Sequence, residues 1–365
     1  MSLLEEESNS AWTFKYVVEG ILITVILFLG LLGNSLSIYI LRQKEVKLQR
    51  VLVDVLCSLT AFDNLFLIGA FLLFSLPQLC ASYADYTFHL ISPYLYPITN
   101  TLLTCSSYMT VVVIANKYLL IGRIIQQKRS RLLHNGYMHL FLVILAAVSV
   151  NIPRWLEFSC CNYETRVTRT INETSGEIMI RNTTMMYVAI NPIRNQYEYI
   201  RDYTLISSNL LTLVIPMILM SIFACRIYRE MAKSTSLISD DFGENEGKEQ
   251  EGRNRRFTFV LIGIIILFII CRIGELGISV YELVLIIREG ERKSFPEYIR
   301  AIISINTLLL VCNSSFNFLI YYKDMLFRKG FLKLYYALRK TLGKKQNTIQ
   351  ENEDIILQDM GINIS

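Results

Sequence analysis

Long apolar stretches recur seven times along the chain, and shorter segments between them carry most of the charged residues. Each stretch is long enough to cross a bilayer as a helix, which takes about 20 mostly apolar residues. The predicted spans are residues 17–41, 52–78, 95–121, 138–158, 203–228, 257–287 and 298–322. The pattern predicts an all-α membrane protein, a seven-transmembrane helix bundle over residues 17–322. Residues 1–16 and 323–365 then lie on opposite sides of the membrane.

The seventh stretch contains polar residues inside its apolar pattern. They are Asn313, Ser314, Ser315 and Asn317. An unpaired amide in hydrocarbon costs several kcal/mol, so these groups must face partners within a bundle. Other stretches supply polar groups at matching depth, namely Asn34, Asp63 and Ser106. One polar cluster shared by several apolar helices indicates a switching or conducting protein rather than a simple anchor.

The basic residues between the stretches indicate the orientation, because inner loops carry an excess of Lys and Arg. The segment between the first two stretches is basic, whereas residues 79–92 hold Asp85 and no Lys or Arg. The second outer loop has six arginines from Arg154 to Arg201, balanced by acidic residues. We therefore expect the N-terminus outside and residues 323–365 inside. The net charge of +5 mostly reflects this topology, and no nucleic-acid partner is expected.

Three further segments give local predictions. Residues 323–345 interleave apolar and basic residues, which predicts an amphipathic helix on the lipid of the inner leaflet, followed by a disordered tail. Residues 240–252 are acidic and poor in apolar residues, which predicts a disordered inner loop. Asn172 and Asn182 begin glycosylation sequons in the second outer loop.

No catalytic motif is present in the sequence. His89, His134 and His139 lack the spacing of a metal site, and phosphate-binding loops are absent, so we expect no enzyme activity. The composition is 53% hydrophobic and 18% charged, which fits a membrane protein. A seven-span transporter or channel that uses Asp63 as its ion site is one alternative, although no internal repeat supports it.

Motifs in three stretches resemble those of rhodopsin-like (class A) G-protein-coupled receptors. They are Gly33-Asn34, the run from Leu59 to Asp63 and the run from Asn317 to Tyr321, with Pro216 and Phe268-Ile269-Ile270-Cys271 in the fifth and sixth. Within that family, Pro153-Arg154-Trp155-Leu156-Glu157, the Pro93–Pro97 run and the seventh-span motif resemble invertebrate, nematode-like FMRFamide-type neuropeptide receptors. The resemblance implies a multi-pass protein of the plasma membrane that binds a short amidated peptide outside and engages a heterotrimeric G protein inside.

The chain departs from the family at the inner switch. The resemblance implies that Asn116, Lys117, Tyr118 and Tyr321 couple the receptor to its G protein. Lysine here lacks the planar guanidinium of arginine, and Asn116 cannot form the restraining ion pair. A decoy receptor of the same fold, deficient in signalling, is therefore a second alternative.

The resemblance also implies a sodium ion beside Asp63, the only cofactor that we expect. Its oxygen ligands would come from Asp63, Ser106, Asn313, Ser314 and Asn317, and oxygen donors suit a hard cation. The alternative is a protonated Asp63 that only ties helices together.

Five residues are candidates for ligand binding. They are Arg272, Glu275, Glu282, Tyr108 and Tyr281. Arg272 takes the place of the family's tryptophan in the sixth span, and Glu275 at i+3 offers it an ion pair. Either this pair only neutralises itself, or Arg272 lines the ligand site while Glu275 or Glu282 meets a cationic peptide. The tyrosines either contact ligand aromatics or anchor the membrane interface.

The family usually links the top of the third helix to the second outer loop by a disulfide. No cysteine lies near Ser92, where this link is expected, so Cys80 is predicted as the substitute. Its partner would be Cys160 or Cys161, with the other left over.

Overall fold

Seven long helices follow one another in the part of the chain that the computed structural model describes, residues 12–43, 50–126, 136–171, 178–242, 244–289 and 295–317. Their bounds are Trp12–Leu41 for α1, Arg50–Leu79 for α2, Phe88–Gln126 for α3 and Gly136–Leu156 for α4. Helix α5 begins at Tyr199 and ends at Phe242, α6 is Glu244–Glu289, and α7 is Glu297–Ser315. Over the described residues, every one except α6 is long and apolar enough to cross a membrane. Helix α6 contains the whole predicted sixth span.

The helices pack into a closed ring, because α1 contacts α2 on one side and α7 on the other, and neighbours along the chain are mostly neighbours in space. Helix α3 lies against α2, α4 and α5. The buried apolar side chains form one cluster between α1, α2, α3 and α4 around Val55 and Met109. A second cluster joins α1, α2, α3 and α7, and a third joins α3, α5 and α6. Many apolar side chains point outward instead, as expected of surfaces in lipid.

Wide π-helical turns interrupt the regular helices on the predicted outer side of the bundle. They occupy Tyr16–Leu22 in α1, Phe71–Ser75 in α2 and Tyr83–Thr87 before α3. Helix α5 has two of them, Tyr199–Ser208 and Leu210–Val214. Such turns change which carbonyl each N–H can reach and are frequent near functional sites.

A two-stranded antiparallel hairpin follows α4, with β1 at Phe158–Ile171 and β2 at Ile178–Ile190. Phe158 pairs with Ile190 at its base, and a register irregularity follows Ser159. The 3₁₀ turn Pro192–Asn195 then leads into α5. This hairpin occupies the predicted second outer loop, where the apolar pattern gave no sign of strands.

Two sequence predictions differ from the observed elements. The first outer loop, predicted over 79–92, is mostly helical, because α3 begins at Phe88 and runs through Pro93 and Pro97. A proline removes one backbone donor, a loss that neighbouring groups make up inside bundles. The predicted disordered inner loop is also wrong for residues 240–242 and 244–252, which are helical. Glu, Gln, Lys and Arg there are good helix formers, and acidity alone hid this propensity. The predicted amphipathic helix and tail, residues 323–365, lie outside the described residues.

Candidate functional site

Asp63 is fully buried in α2 and receives two hydrogen bonds from other elements. The Ser106 hydroxyl of α3 donates to Oδ1 at 2.5 Å, and the Asn317 amide donates to Oδ2 at 2.6 Å. Asn34 of α1 donates to the backbone carbonyl of Ser314 at 3.0 Å. The structure thus brings Asn34, Asp63, Ser106, Ser314 and Asn317 together, and we call this group the Asp63 cluster. Asn313 is partly buried, as Asn317 is, but no hydrogen bond joins it to this group in the described structure.

The Asp63 cluster retains buried oxygens that are not satisfied. Within the described part of the chain, Asn34 Oδ1 and Ser314 Oγ have no hydrogen-bond partner of ordinary geometry. Ser314 Oγ nevertheless lies beside the Asp63 carboxylate. Carboxylate, hydroxyl and amide oxygens form a suitable ligand set for a hard cation, so the residues present fit the sodium ion that the sequence predicts.

Arg272 lies at the centre of the bundle and connects α6 to α3. Its guanidinium donates to Glu275 Oε2 at 2.7 Å, which confirms the i+3 ion pair available in the sequence. It also donates to the Ser107 hydroxyl and, at 3.4 Å, to the Leu103 carbonyl. The Arg272 side chain is 3% exposed and that of Glu275 is 25% exposed. Arg272 is therefore engaged with α3, and only Glu275 of this pair is open to a ligand.

Gly274 allows α7 to approach α6 closely next to this pair. A Cβ built on Gly274 would lie 2.2 Å from Asn306 Oδ1, a distance that requires a shift. This carbonyl oxygen is buried without a hydrogen-bond partner in the described structure. The observed role of Gly274 is thus to make room for Asn306.

Tyr108 joins α3 to α5 at a backbone position left open by a proline. Its hydroxyl donates to the Leu211 carbonyl at 3.3 Å. In the π turn that contains Leu211, the N–H of Ile215 bonds to the carbonyl of Leu210, five residues earlier. The same register would pair Leu211 with Pro216, which has no N–H. Tyr108 therefore supplies a donor that α5 cannot, and its hydroxyl is not open to a ligand in this structure.

A group of charged residues is buried at the outer end of the bundle. Glu157, at the end of α4, is fully buried and accepts hydrogen bonds from Arg194 and, at 2.9 Å, from the Tyr199 hydroxyl. Arg194 also lies 3.7 Å from Glu282 of α6. Burial opposes the charge of Arg194, but Tyr96, Glu157 and Glu282 outweigh it and raise the pKa of Arg194. We call Glu157, Arg194, Tyr199 and Glu282 the outer ion cluster.

The outer ion cluster changes the interpretation of Glu282. Glu282 is buried and faces Arg194, so an internal cation already occupies the side that the sequence assigned to a ligand. Sequence reasoning missed Arg194 and Tyr199, because the balanced charges of the second outer loop do not reveal which of them pair. Glu157 was visible only as part of the Pro-Arg-x-x-Glu motif.

A second missed carboxylate, Glu19, is buried near the outer end of α1. It accepts a hydrogen bond from Ser304 of α7 at 2.6 Å and lies 3.8 Å from Lys15. Glu19 was not singled out from the sequence, because one Glu at the start of an apolar stretch gives no sign of a buried partner. Glu19 instead ties α1 to α7 within the described part of the bundle.

The remaining predicted residues are less connected. Tyr281 lies with Tyr298 at the outer ends of α6 and α7, with their hydroxyls 3.2 Å apart. Asn116 bonds to its own helix at the Val112 carbonyl, and the Tyr118 ring lies 6.0 Å from that of Phe223. The Lys117 side chain, Tyr321 and Asn172 lie outside what is described, and Asn182 is known only as part of β2. Their predicted roles stay predictions.

The predicted disulfide is not formed, because Cys80 is a free cysteine in this structure. Cys80 ends α2 in an extended conformation, and its Sγ lies 3.4 Å from the Ser82 hydroxyl. The prediction chose Cys80 for its position along the chain, but a disulfide also requires a second thiol at bonding distance. The side chains of Cys160 and Cys161 lie outside the described part.

The sequence model of the family described as 7 transmembrane receptor (rhodopsin family) matches residues 33–321, which is well over half of the chain. The chain belongs to the rhodopsin family of seven-transmembrane receptors. It is 24% identical to the FMRFamide receptor of Drosophila melanogaster over 362 residues, covering 97% of this chain and 59% of that receptor. It is 26% identical to the probable G-protein coupled receptor frpr-1 of Caenorhabditis elegans, over 91% of this chain and 82% of that protein.

A third relative is the FMRFamide peptide receptor frpr-18 of Caenorhabditis elegans, 27% identical over 144 residues, or 37% of this chain and 32% of that receptor. The chain thus spans 59% of the length of the Drosophila relative. Membership of the rhodopsin family establishes a multi-pass membrane protein and the seven-helix bundle that the apolar pattern predicts.

Proposed function

We propose that this rhodopsin-family member is a receptor for a short, amidated, FMRFamide-like neuropeptide and passes its signal to a heterotrimeric G protein. The observation that carries the proposal is the alignment of 97% of the chain with a receptor named for FMRFamide. The chain spans the whole bundle, so the similarity reaches both the outer and the inner faces. Family membership favours this function over a transporter or channel.

The polar groups inside the bundle support a switching role. The Asp63 cluster connects α1, α2, α3 and the end of the seventh span, and Arg272 connects α6 to α3. Contacts of this kind can differ between two packings of the helices, and a ligand shifts the equilibrium only through such differences. Glu275, which is partly exposed, is one acidic group that a cationic group of the ligand can reach.

Sodium is the ion that we propose for the Asp63 cluster. Asp63, Ser106, Ser314 and Asn317 would hold it, with Asn313 at the edge. When bound, the ion would supply positive charge that stabilises an ionised Asp63 in the resting receptor. Asn34 Oδ1 and Ser314 Oγ are the buried oxygens that favour this assignment within the described residues.

We further propose that the N-terminus faces outside at the plasma membrane. The basic inner segments and the acidic start of the chain support this orientation. It puts the outer ion cluster on the side of the ligand and the Asn116-Lys117-Tyr118 triplet on the side of the G protein.

A panel of amidated peptides and their free-acid counterparts tests the function. The full chain is expressed in cells with sensors that report dissociation of several G proteins, and binding is measured separately by displacement of a labelled peptide. We expect an amidated peptide to bind and to dissociate a G protein, and its free acid to be at least about tenfold weaker, since a buried site distinguishes an amide from a charge. Binding without dissociation would support the decoy alternative. Binding of none of the amidated peptides would contradict the proposal.

A further inference from the structure

The guanidinium of Arg194 lies between acidic and aromatic groups from several elements. Glu157 contacts it directly, Glu282 lies at 3.7 Å, and the Phe158 ring lies 5.6 Å from its central carbon. The Phe158 ring in turn packs edge-on against Tyr96 of α3, with centroids 5.2 Å apart. Acidic oxygens with an aromatic face are the surroundings in which proteins bind a guanidinium. We call these surroundings, formed by Glu157, Glu282, Phe158 and Tyr96, the guanidinium site.

Arg194 is held unequally by the two carboxylates. Its contact with Glu157 is a direct hydrogen bond, and Glu157 is fixed further by Tyr199 and by its backbone carbonyl, which accepts from the N–H of Asn191. The contact with Glu282 is an ion pair at 3.7 Å without the geometry of a close hydrogen bond. Within the described structure, Arg194 Nε has no hydrogen-bond partner although the residue is 8% exposed. The pairing with Glu282 is therefore the weaker of the two.

Arg194 and Glu282 lie in different kinds of secondary structure. Arg194 lies in the short 3₁₀ turn Pro192–Asn195, between the hairpin and α5, whereas Glu282 lies within the long helix α6. The Asn191 side chain caps the turn by accepting from the N–H of Ile193 at 3.3 Å. A turn of four residues can shift relative to a helix without breaking any helical hydrogen bond. The Arg194–Glu282 contact is thus a connection between an outer loop and α6.

We propose that Arg194 is an internal occupant of the guanidinium site, and that a cationic side chain of the ligand replaces it at Glu282. This rests on the proposed function as a peptide receptor. The charges require replacement rather than addition. Arg194 already pairs with Glu157 and Glu282. Arg154 adds a second positive charge near Glu157 and Arg194, so a further buried cation would lack a counter-charge, which is costly. Replacement keeps the balance, leaves Arg194 with Glu157 and frees the loop from α6.

The contact between Arg194 and Glu282 is tested first without any ligand, by applying trypsin to cells that express the full chain. Trypsin cuts after Arg194 only when this residue leaves the site. We expect Glu282→Gln to accelerate this cut at least about threefold, because cleavage follows the population of the opened form. Glu297→Gln is the matched control, since Glu297 forms an exposed pair with Arg300 at 3.6 Å on the same side. An unchanged rate of cleavage after Arg194 in Glu282→Gln would show that Glu282 does not hold this residue and would overturn the proposal.

The replacement is tested with the peptide Phe-Met-Arg-Phe-amide and its analogue with citrulline in place of arginine. Citrulline keeps the shape of arginine and removes its charge. In the wild type we expect the arginine peptide to be at least about tenfold more potent, because a hydrogen bond to a charged group is stronger than one between neutral groups. Glu282→Gln should reduce this preference to less than about threefold, whereas Glu297→Gln should retain it. A preference that persists in Glu282→Gln would overturn the replacement.

Arg194→Lys is a second variant that preserves the charge at Glu157. A lysine ammonium has its three donors on one nitrogen and does not span two separated carboxylates as the planar fork of a guanidinium does. We expect the variant to pair with Glu157, to leave Glu282 and to bind the arginine peptide more tightly than the wild type does. Weaker binding would overturn the proposal. A wild type that responds to neither peptide would instead contradict the proposed function for this ligand, and cleavage after Arg194 would then decide the connection alone.

Discussion

At the scale of single residues, Asp63 has the greatest energetic consequence. An ionised carboxylate in the middle of a membrane helix costs roughly 2.5–3.5 kcal/mol on insertion scales. Its two donors, Ser106 and Asn317, recover part of this cost through short hydrogen bonds. Both oxygens are thus engaged while Ser314 Oγ beside them has no ordinary hydrogen bond. A cation that binds here would find its oxygen ligands within the Asp63 cluster. Among the described residues, the only hydrogen bonds that it would displace are those between members of the cluster.

Replacing Asp63 by asparagine tests the sodium proposal. We expect Asp63→Asn to abolish the sodium dependence of agonist affinity, because the amide has no charge to hold the ion. Any rise in unfolding temperature that the wild type shows when sodium chloride replaces choline chloride should be lost in the same variant. This second measurement requires no ligand. The control is Asn313→Ala, since Asn313 lies at the edge of the group. Equal sodium sensitivity in the wild type and in Asp63→Asn would exclude this site.

The hydrogen bond from Tyr108 to the Leu211 carbonyl gives a prediction that depends on the backbone N–H that Pro216 lacks. Tyr108→Phe should destabilise the detergent-solubilised receptor by about 1 kcal/mol, the usual net value of one hydrogen bond. In a Pro216→Ala background the loss should be smaller, since residue 216 then has an N–H that can reach the Leu211 carbonyl. Thermal unfolding midpoints of the four proteins measure this coupling. The explanation fails if Tyr108→Phe has the same effect in both backgrounds.

The residues of the Asp63 cluster could be predicted from the sequence, because a polar group inside a bilayer finds hydrogen-bond partners only within the protein. Asp63, Ser106, Ser314 and Asn317 are together, and Arg272 pairs with Glu275. The outer ion cluster was not predictable in the same way. Its charges come from a loop, where water offers every charge an alternative partner, and only the fold decides that Arg194 turns inward. Cys80 was chosen for its position along the chain alone, and the structure has it as a free thiol.

At the scale of elements, the apolar pattern predicted helices well and their ends less well. Predicted and observed helices overlap in all seven cases within the described residues. The hairpin was missed because polar and apolar residues do not alternate regularly along its two strands. The third span was predicted to begin at residue 95, whereas α3 begins at Phe88 and runs through Pro93 and Pro97.

Helix packing at Gly30 provides a test of one interface. A Cβ on Gly30 would lie 2.3 Å from Ser315 Oγ and 2.9 Å from Ser315 Cα, so α1 and α7 would have to separate. We expect Gly30→Ala to destabilise the receptor by about 1–3 kcal/mol, as overpacking does, and to lower its unfolding temperature. Ser315→Ala should not rescue the variant, because the backbone atom remains.

Gly277 is the matched control for this substitution. An added Cβ there meets nothing within 4 Å, and alanine is a better helix former than glycine. Gly277→Ala should therefore leave the unfolding temperature unchanged or raise it. A Gly30→Ala variant that behaves like Gly277→Ala would show that α1 and α7 are not in close contact.

At the scale of the whole molecule, the ring of helices separates an outer half with π turns and buried charges from an inner half with long helical extensions. The outer half contains the outer ion cluster and the Glu19–Ser304 contact. The inner half contains the α5 and α6 extensions, which run on to Phe242 and from Glu244. This difference fits the proposed orientation, in which the ligand binds on the outer side and a protein partner binds on the inner side.

Cys80 tests the orientation and the state of the outer thiols in one measurement. The Ser82 hydroxyl is the largest of several influences that lower the pKa of Cys80, so more thiolate is present near neutral pH than for an ordinary cysteine. A membrane-impermeant maleimide should therefore label Cys80 on intact cells without a reductant, and the labelled peptide is identified by mass.

Cys80→Ser, which should lose this label, is the control. Labelling only after reduction would mean that Cys80 is bridged in the cell, contrary to the free thiol of the structure. Labelling only after the cells are permeabilised would reverse the orientation.

Helix α6 is much longer than a membrane is thick, and Arg272 bonds it to α3 part-way along its length. Its 46 residues are about 69 Å long at 1.5 Å per residue, against a hydrocarbon core of about 30 Å. Arg272, bonded to α3, lies about 42 Å along the axis from Glu244 at the inner end. A rotation of about 10° around Arg272 would therefore sweep that end through roughly 7 Å, by the geometry of a straight helix. The same rotation would move Glu282, about 15 Å from Arg272 on the outer side, by roughly 3 Å. A modest shift beside the outer ion cluster would become, on the inner side, a displacement the width of a side chain.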